Sequence, residues 1–409
     1  MKTLYLIDGY AQFFRAYHAI RTPMSSPVTG EPTNMTFGFV GMLLKILRRD
    51  APQLKGDGDP TYLAVAIDAS GDRGTFRSTL YPAYKATRSE PPEDLGPQVQ
   101  RALKILGLLG VPVIGAEGFE ADDVIATIAS TYSQRHPDVR VRIISKDKDL
   151  KQLLGEGTPP TEMYDIHTDA LITEAALRDE LGITPAQVVD MLALMGDTVD
   201  NVPGVPGVGP KTAAQLIAEH GTLEAVVAAA ESGAIKGKRR ENILAAKDSL
   251  PLSRRLVALR HDVPIDLDLE KARTDRLDLP ALMPVLRELG FNRYQDDLKA
   301  MLGQTLDAPP DEPRLAAPKP ADAPGSGFGT LFEQAAQTAV REAAGEYKAV
   351  CKREELARLV ERMRNAPVVA IDTETTHLRP MLARLVGVCV SVEAGEGFYV
   401  PVRSPDPSC

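Results

Sequence analysis

Residues 1–10 read MKTLYLIDGY: four large apolar side chains, Leu4 to Ile7, follow one another and stop at Asp8. So short an apolar run, bounded by an acid, is the pattern of a strand buried on both faces, as in helix-covered parallel sheets. Two later runs repeat it. Tyr62 to Ile67 closes on Asp68, and Val139 to Ile144 is followed by Asp147 and Asp149. Helix-period stretches alternate with these runs, among them Phe37, Val40, Leu44 and Leu47, then Val124, Ile125, Ile128, Ala129 and Tyr132. Strand and helix patterns in alternation predict an α/β domain with a largely parallel sheet.

This catalytic α/β pattern is expected to occupy residues 1–180, and a purely helical pattern, residues 181–303. Residues 304–345 read as a flexible linker, since 304–329 alone hold six prolines, five alanines and three glycines. A second α/β beginning follows over 346–409: an amphipathic helix near Arg353 to Arg364, a strand Pro367 to Ile371, and apolar runs up to Val402. That is short for a domain of this type, so the chain is expected to be a fragment.

Across 409 residues no run reaches the ~18 apolar residues of a membrane span, and no apolar core suits a signal peptide. Three cysteines without CxxC spacing support neither a disulfide framework nor a zinc site. A net charge of −9 ordinarily argues against a nucleic-acid partner. The argument fails if many of the acids surround metal ions, because basic patches can then persist elsewhere.

The acids are placed for that. Carboxyl ends of parallel strands share one edge, so Asp8, Asp68, Asp147 and Asp149 are expected to converge there. Glu120, Asp122 and Asp123 open a helix in FEADDVIA, where capping of the helix N-terminus is the alternative account. Asp197 and Asp200 sit three apart in MGDTVDNVPG. These nine carboxylates in one cleft would raise one another's pKa unless cations held them ionised. Oxygen donors without His or Cys suit two Mg²⁺ or Mn²⁺ ions, the usual arrangement for cleaving phosphodiesters. No histidine has a context suiting a Ser-His-Asp site, and Gly9 and Tyr10 after Asp8 do not fit a haloacid-dehalogenase-type phosphatase.

Positive charge lies in three places. NVPGVPGVGPKTA, with Gly204, Gly207, Gly209 and Lys211, reads as a helix-hairpin-helix, whose turn and helix N-terminus grip a phosphate without reading bases. Pro210 breaks any likeness to a nucleotide P-loop. The KGKRR cluster, with Lys236, Lys238 and Arg239, would extend that grip. In RGTFRSTLYPAYKATR, Arg77, Tyr81, Tyr84, Lys85 and Arg88 recur at helical spacing, and Pro82 predicts a broken helix or arch suited to single strands.

Taken together, LYLIDGY, FRSTLYPAYKATR, FEADDVIA, SKDKDL and GDTVDNVPGVPGVGPKTA resemble, in order, the 5′-nuclease domains of the bacterial DNA polymerase I family, part of the flap endonuclease family. The resemblance covers residues 1 to 300. Beyond the linker, VVAIDTETTHL resembles the first motif of that family's 3′-5′ exonuclease domain, an RNase H-like fold present here in part, with Asp372 and Glu374 as its metal-binding pair. The resemblance implies two divalent ions on the nine carboxylates. It places Arg77, Tyr84, Lys85 and Arg88 at the scissile phosphate and threaded 5′ strand, and Arg15 beside them. It also implies a monomeric nuclease acting on DNA with 5′ flaps, nicks or RNA primers, cytoplasmic and nucleoid-associated in a bacterium. The alternatives are a PIN-type ribonuclease, which lacks the glycine hairpin, and a non-catalytic DNA-binding module, which would not need the acids.

Overall fold

The computed structural model describes residues 1–70, 74–88, 91–157, 159–303, 346–366, 368–375, 385–393 and 395–402. The expected linker, 304–345, lies outside the described residues. The chain divides into two compact units, Met1–Lys319 and Pro320–Cys409.

In the first unit, β1 (Lys2–Asp8), β2 (Pro60–Ala66), β3 (Val113–Ile114), β4 (Val139–Ile144), β5 (Thr161–Asp165) and β6 (Ala170–Ile172) form one sheet in the order β3-β2-β1-β4-β5-β6. All neighbours are parallel except β6, which pairs antiparallel with β5. Alternation along β1 decides what covers each face. Leu4 and Leu6 join α5 (Ala121–Arg135) and the later helices in one core, whereas Tyr5 and Ile7 join α1 (Gly9–Ala19), α2 (Asn34–Leu47) and α4 (Leu95–Leu109) in the other. Both faces are therefore dry, which is why LYLI carries no polar residue.

Strands β3, β5 and β6 escape the apolar-run reading. β3 has two residues, and β5 carries the buried Glu162 as its second residue. That acid is 6% exposed and accepts from Arg142 Nε at 3.1 Å and Nη2 at 2.8 Å. The equally buried Arg142 also donates to the Tyr5 hydroxyl at 2.8 Å. A polar pair neutralised inside the sheet has no hydrophobic signature.

A short α3 (Phe76–Leu80) stops before Pro82, and turns carry the chain through Lys85, as the proline predicts. After α6 (Glu174–Leu181), five helices follow: α7 (Pro185–Met195), α8 (Pro210–His220), α9 (Leu223–Ser232), α10 (Gly237–Ala246) and α11 (Leu250–Val257). They share a core with α5. The next two, α12 (Leu282–Glu288) and α13 (Asn292–Met301), instead pack with α2 and α4 on the opposite face of the sheet. The helical stretch expected over 181–303 is therefore split by packing, its last two helices returning to the sheet after the hairpin region.

In the second unit, β7 (Glu346–Ala349), β8 (Ala370–Thr375), β9 (Leu385–Ser391) and β10 (Glu396–Pro401) form a sheet ordered β7-β10-β9-β8. With α14 (Arg353–Asn365) they enclose a small core around Val350, Leu359 and Val390. Cys351 takes part in a disulfide, against the expectation from the cysteine count.

The loop between α7 and α8 is packed unevenly. A Cβ at Gly204 would lie 2.4 Å from the Met195 carbonyl oxygen, whereas one at Gly209 would meet nothing within 4 Å. Gly204→Ala should cost about 1–3 kcal/mol by overpacking. Gly209→Ala, at an ordinary φ of −93°, should change stability by less than about 1 kcal/mol, the unfolded-state gain being offset by alanine's poorer fit at the helix N-cap. Urea unfolding midpoints of the two variants check the contrast.

Candidate active site

Because β1, β2 and β4 run parallel, their carboxyl ends meet at one edge, and local hydrogen bonds fix the acids there. Asp8 caps α1 by accepting from Ala11 N at 3.2 Å, and the Ser145 hydroxyl donates to its other oxygen at 2.9 Å. Asp68 accepts from Ala121 N at 2.6 Å, which seats the N-terminus of α5, with Glu120 and Asp122, at the same edge. Past β4, Asp147 accepts from Asp149 N at 2.8 Å. From the α7–α8 loop, Asp197 accepts from Val199 N at 2.7 Å and Asp200 N at 3.0 Å, a tight turn that holds Asp200.

Electrostatics shows which acids share a site. Burial pushes the Asp8 carboxyl up, and Asp147 and Asp68 add to the rise. Burial raises Asp122 well above the ordinary range, reinforced by Asp147, Asp8, Asp149 and Glu120. Asp149 rises for the same reason, with Asp147, Asp197 and Asp200 adding and Lys148 opposing. Asp8, Asp68, Glu120, Asp122, Asp147, Asp149, Asp197 and Asp200 thus form one mutually repelling set.

Asp123 contributes to none of these shifts. It is fully buried, its oxygens bound by Arg77 Nη1 at 2.6 Å and Nη2 at 2.8 Å, Arg260 N at 2.9 Å and Glu120 N at 3.1 Å. The rotation of about 100° between successive helix residues puts Asp122 and Asp123 on different faces, so the capping alternative holds for Asp123 and the cleft reading for its neighbour. Arg77 is likewise 2% exposed and also donates to Leu256 O at 2.7 Å. It ties α3 to α5 and α11 and has no open path to a phosphate, contrary to the expectation from its spacing.

Protein cations face part of the set. Lys148 Nζ lies 2.5 Å from Asp197 and 3.6 Å from Asp149, Lys85 Nζ 2.9 Å from Glu120, and Arg88 2.5 Å from Asp200. Against the effect of its burial, Asp149 and Asp197 hold the Lys148 ammonium above its ordinary range. Among the described residues no three His, Cys, Asp or Glu side chains are already closed on one point. The donor chemistry nonetheless fits hard divalent cations: every ligand is oxygen, and three carboxyls carry the mark of missing counter-charge. Lys148 is the residue that sequence reasoning missed, although its place between Asp147 and Asp149 was the available signal.

The segment after α3 is docked on the α7–α8 loop. Lys85 N donates to Asp200 O at 2.9 Å, Asn201 Nδ2 to Ala83 O at 2.7 Å, and the Tyr84 hydroxyl to Glu120 at 3.2 Å and Asp200 at 3.4 Å. Lys85 and Asn201 hold φ of 55° and 56°, a region side chains enter only under constraint. Lys85 and Tyr84 are buried, so they support carboxylates rather than reach outward, whereas Arg88 is exposed.

Farther along, Gly207 turns the α7–α8 loop at φ 77°, and α8 begins with Gly209 and no side-chain cap. Its first N–H groups and exposed Lys211 face outward. Asn242 of α10 donates to Pro206 O at 2.7 Å, which joins the exposed Lys236, Lys238 and Arg239 to the same surface, although Lys238 pairs with Glu241 at 3.1 Å. Arg15 lies on α1, 3.4 Å from Asp165. In the second unit Asp372 is exposed on β8, and the Glu374 side chain lies outside the described residues.

Residues 3–182 match the family described as 5′-3′ exonuclease, N-terminal resolvase-like domain. Residues 183–279 match 5′-3′ exonuclease, C-terminal SAM fold, and 347–405 match 3′-5′ exonuclease. A 5′-3′ exonuclease of Aquifex aeolicus is 37% identical over 71% of this chain and 92% of that protein. A DNA polymerase I of Rhizobium leguminosarum is 37% identical over 95% of this chain and 41% of that protein. The chain therefore spans about two fifths of the length of such polymerase relatives. A solved structure of T5 D15 protein with metal ions aligns over 73% of this chain and 99% of that one, at 20% identity and TM-score 0.48, too loosely to bear on chemistry.

Carboxyls whose protons are held more tightly in the folded than in the unfolded chain stabilise the fold at low pH and lose that contribution as pH rises through their raised values. With divalent ions chelated, stability should fall between about pH 4 and pH 8. Asp122→Asn should be the more stable protein at pH 8 by about 1 kcal/mol or more, with the gap closing toward pH 5. Thermal melts in chelator across that range check it. Arg77→Met strands Asp123 and should cost about 3–5 kcal/mol in the same assay.

Proposed function

From the chain's membership of the 5′-3′ exonuclease family, we propose that it hydrolyses phosphodiester bonds at the 5′ ends and flaps of nucleic acid, using divalent ions held by the eight linked carboxylates. The observation that carries this reading is the convergence of carboxylates from five chain segments at one sheet edge, fixed there by local hydrogen bonds, where burial and mutual repulsion push Asp8, Asp122 and Asp149 up. A fold gains nothing from that much uncompensated charge, so a purely binding or scaffolding role leaves it unexplained. Relaxed, all-oxygen coordination suits Mg²⁺ or Mn²⁺, and two ions are enough for eight acids from five chain segments.

Such ions, when bound, supply counter-charge and Lewis acidity for attack of water on the phosphodiester. The chain's own residues do the rest. Asp8, Asp68, Asp122 and Asp147 form the part of the set without a protein cation at hydrogen-bonding distance in the contacts above, and they are assigned to the tighter-held ion. Asp149, Asp197 and Asp200 lie under Lys148 and Arg88, which must turn aside for a second. Arg88, exposed and resting on Asp200, is positioned to swing to a phosphoryl oxygen as negative charge builds there. Lys85 and Tyr84 are positioning residues that hold Glu120. The α8 N-terminus with Lys211, and Lys236 with Arg239, grip the duplex backbone away from the cut.

A labelled 5′-flap duplex in Mg²⁺, run beside single-stranded RNA and a chelator control, tests the proposal. The flap should be cut, leaving a 5′-phosphorylated product, and cleavage should stop in chelator. Asp147→Asn should lower the single-turnover rate by more than about 100-fold, beyond what loss of a supporting contact causes. Metal-independent cutting, or an equal preference for unstructured RNA, would contradict the assignment.

A further inference from the structure

One strand-end acid at this edge has surroundings opposite to those of the cleft. Asp165 closes β5 and is 3% exposed. It accepts from the Thr168 hydroxyl at 2.5 Å and from His167 N at 3.1 Å. Two cations from separate elements close on it: Lys146 Nζ at 2.9 Å, from the turn after β4, and Arg15 Nη1 at 3.4 Å, from α1. A third, Lys45 of α2, donates to the neighbouring Ile166 O at 2.5 Å. The nearby Asp169 is engaged by the Tyr164 hydroxyl at 2.6 Å.

Burial alone would raise the Asp165 carboxyl, but Thr168, Lys146, His167 N–H and Arg15 hold it down to about 2, so it stays ionised. The field around it is nevertheless positive. Burial together with Arg15, Lys45 and Lys146 lowers the His167 imidazole to about 4, outweighing the pull of Asp165. Unlike Arg77 and Lys85, the cationic heads reach solvent: the Lys146 side chain is 50% exposed and that of Arg15 31%. The place is also fixed relative to the cleft. Lys146 sits between Ser145, bonded to Asp8, and Asp147, while Arg15 lies two turns along the helix that Asp8 caps, about 10 Å away.

The resemblance already sets Arg15 beside the strand; we infer that Lys146, held next to it by buried Asp165, completes a phosphate-binding step on the rim of the cleft, which takes a backbone phosphate of the strand being cut, close to the scissile one. Asp165 keeps two long side chains in place, so less rotamer freedom is lost on binding, and its single charge leaves the step cationic. A diester phosphate carries one negative charge and exposes two oxygens, which suits one ammonium and one guanidinium, and neither contact reads a base. The step gives an acidic chain a local attraction exactly where its carboxylates would otherwise repel the strand.

The inference rests on the nuclease reading, and the experiment separates the two. The full chain in Mg²⁺ is given 5′-flap duplexes in which one linkage at a time, on either side of the cut, is a neutral methylphosphonate; single-turnover half-saturation and rate are read for each. In the parent, one position near the cut should raise half-saturation about fivefold to tenfold. Lys146→Ala should raise it similarly on the unmodified flap, lose nothing further at that one position, and reduce the salt dependence of binding by about one unit of slope. Lys146→Arg should restore most of the affinity. Half-saturation unchanged by Lys146→Ala, or penalties that multiply at every position, would overturn the step. A parent that cuts no flap at all would overturn the nuclease reading instead.

Discussion

Mutual repulsion among carboxylates at the carboxyl edge of the sheet is the constraint around which the first unit is built. A parallel sheet brings strand ends together by topology, and four acids arrive there without any special packing. Each further acid makes the edge harder to hold. The chain meets this with fixed hydrogen bonds and with only partial neutralisation by Lys85, Arg88 and Lys148: Asp8 and Asp68 cap the helices that follow or abut them, and Asp197 folds its own loop. Those bonds hold the carboxylates in place although burial and mutual repulsion push Asp8, Asp122 and Asp149 toward their protonated forms.

The same constraint explains why the helical region must stay bound to the sheet. Asp197 and Asp200 belong to the α7–α8 loop, so they reach the cleft only if that loop is held against it. The segment from Ala83 to Lys85 does this through bonds to Asp200 and Asn201. Arg77, locked on Asp123 and the end of α11, fixes the other side of the same joint. Residues that resemble substrate contacts in sequence are thus partly the mortar between sheet and hairpin. The positive φ of Lys85 and Asn201 falls at this joint, where two surfaces dictate the backbone conformation.

Much of this was legible beforehand because position at a strand end is a property of sequence order. Asp8, Asp68, Asp147 and Asp149 could be assigned from apolar runs alone, and the break before Pro82 from its missing N–H. Asp122 and Asp123 could not be told apart, since adjacent acids at a helix start point in different directions and only tertiary packing shows which side is the core. Strand β5 was hidden because Glu162 and Arg142 satisfy each other inside the sheet, and with it went Asp165. The return of α12 and α13 to the sheet was hidden for another reason: helical periodicity reveals an apolar face but not what it packs against.

The charge of the chain is reinterpreted by the same geometry. Eight carboxylates set against Lys85, Arg88 and Lys148 concentrate about half of the net −9 in the cleft, so the remaining surface is only mildly acidic. On such a surface, local clusters decide where a polyanion settles. Lys211 with the α10 lysines, Arg88 over Asp200, and Lys146 with Arg15 lie respectively on the hairpin, at the mouth of the cleft and on its rim. The acidity that seemed to exclude nucleic acid is concentrated where counter-ions would cancel it. On the proposed function, cation loading and strand binding are coupled, because each ion entering the cleft would remove repulsion that the phosphates otherwise meet.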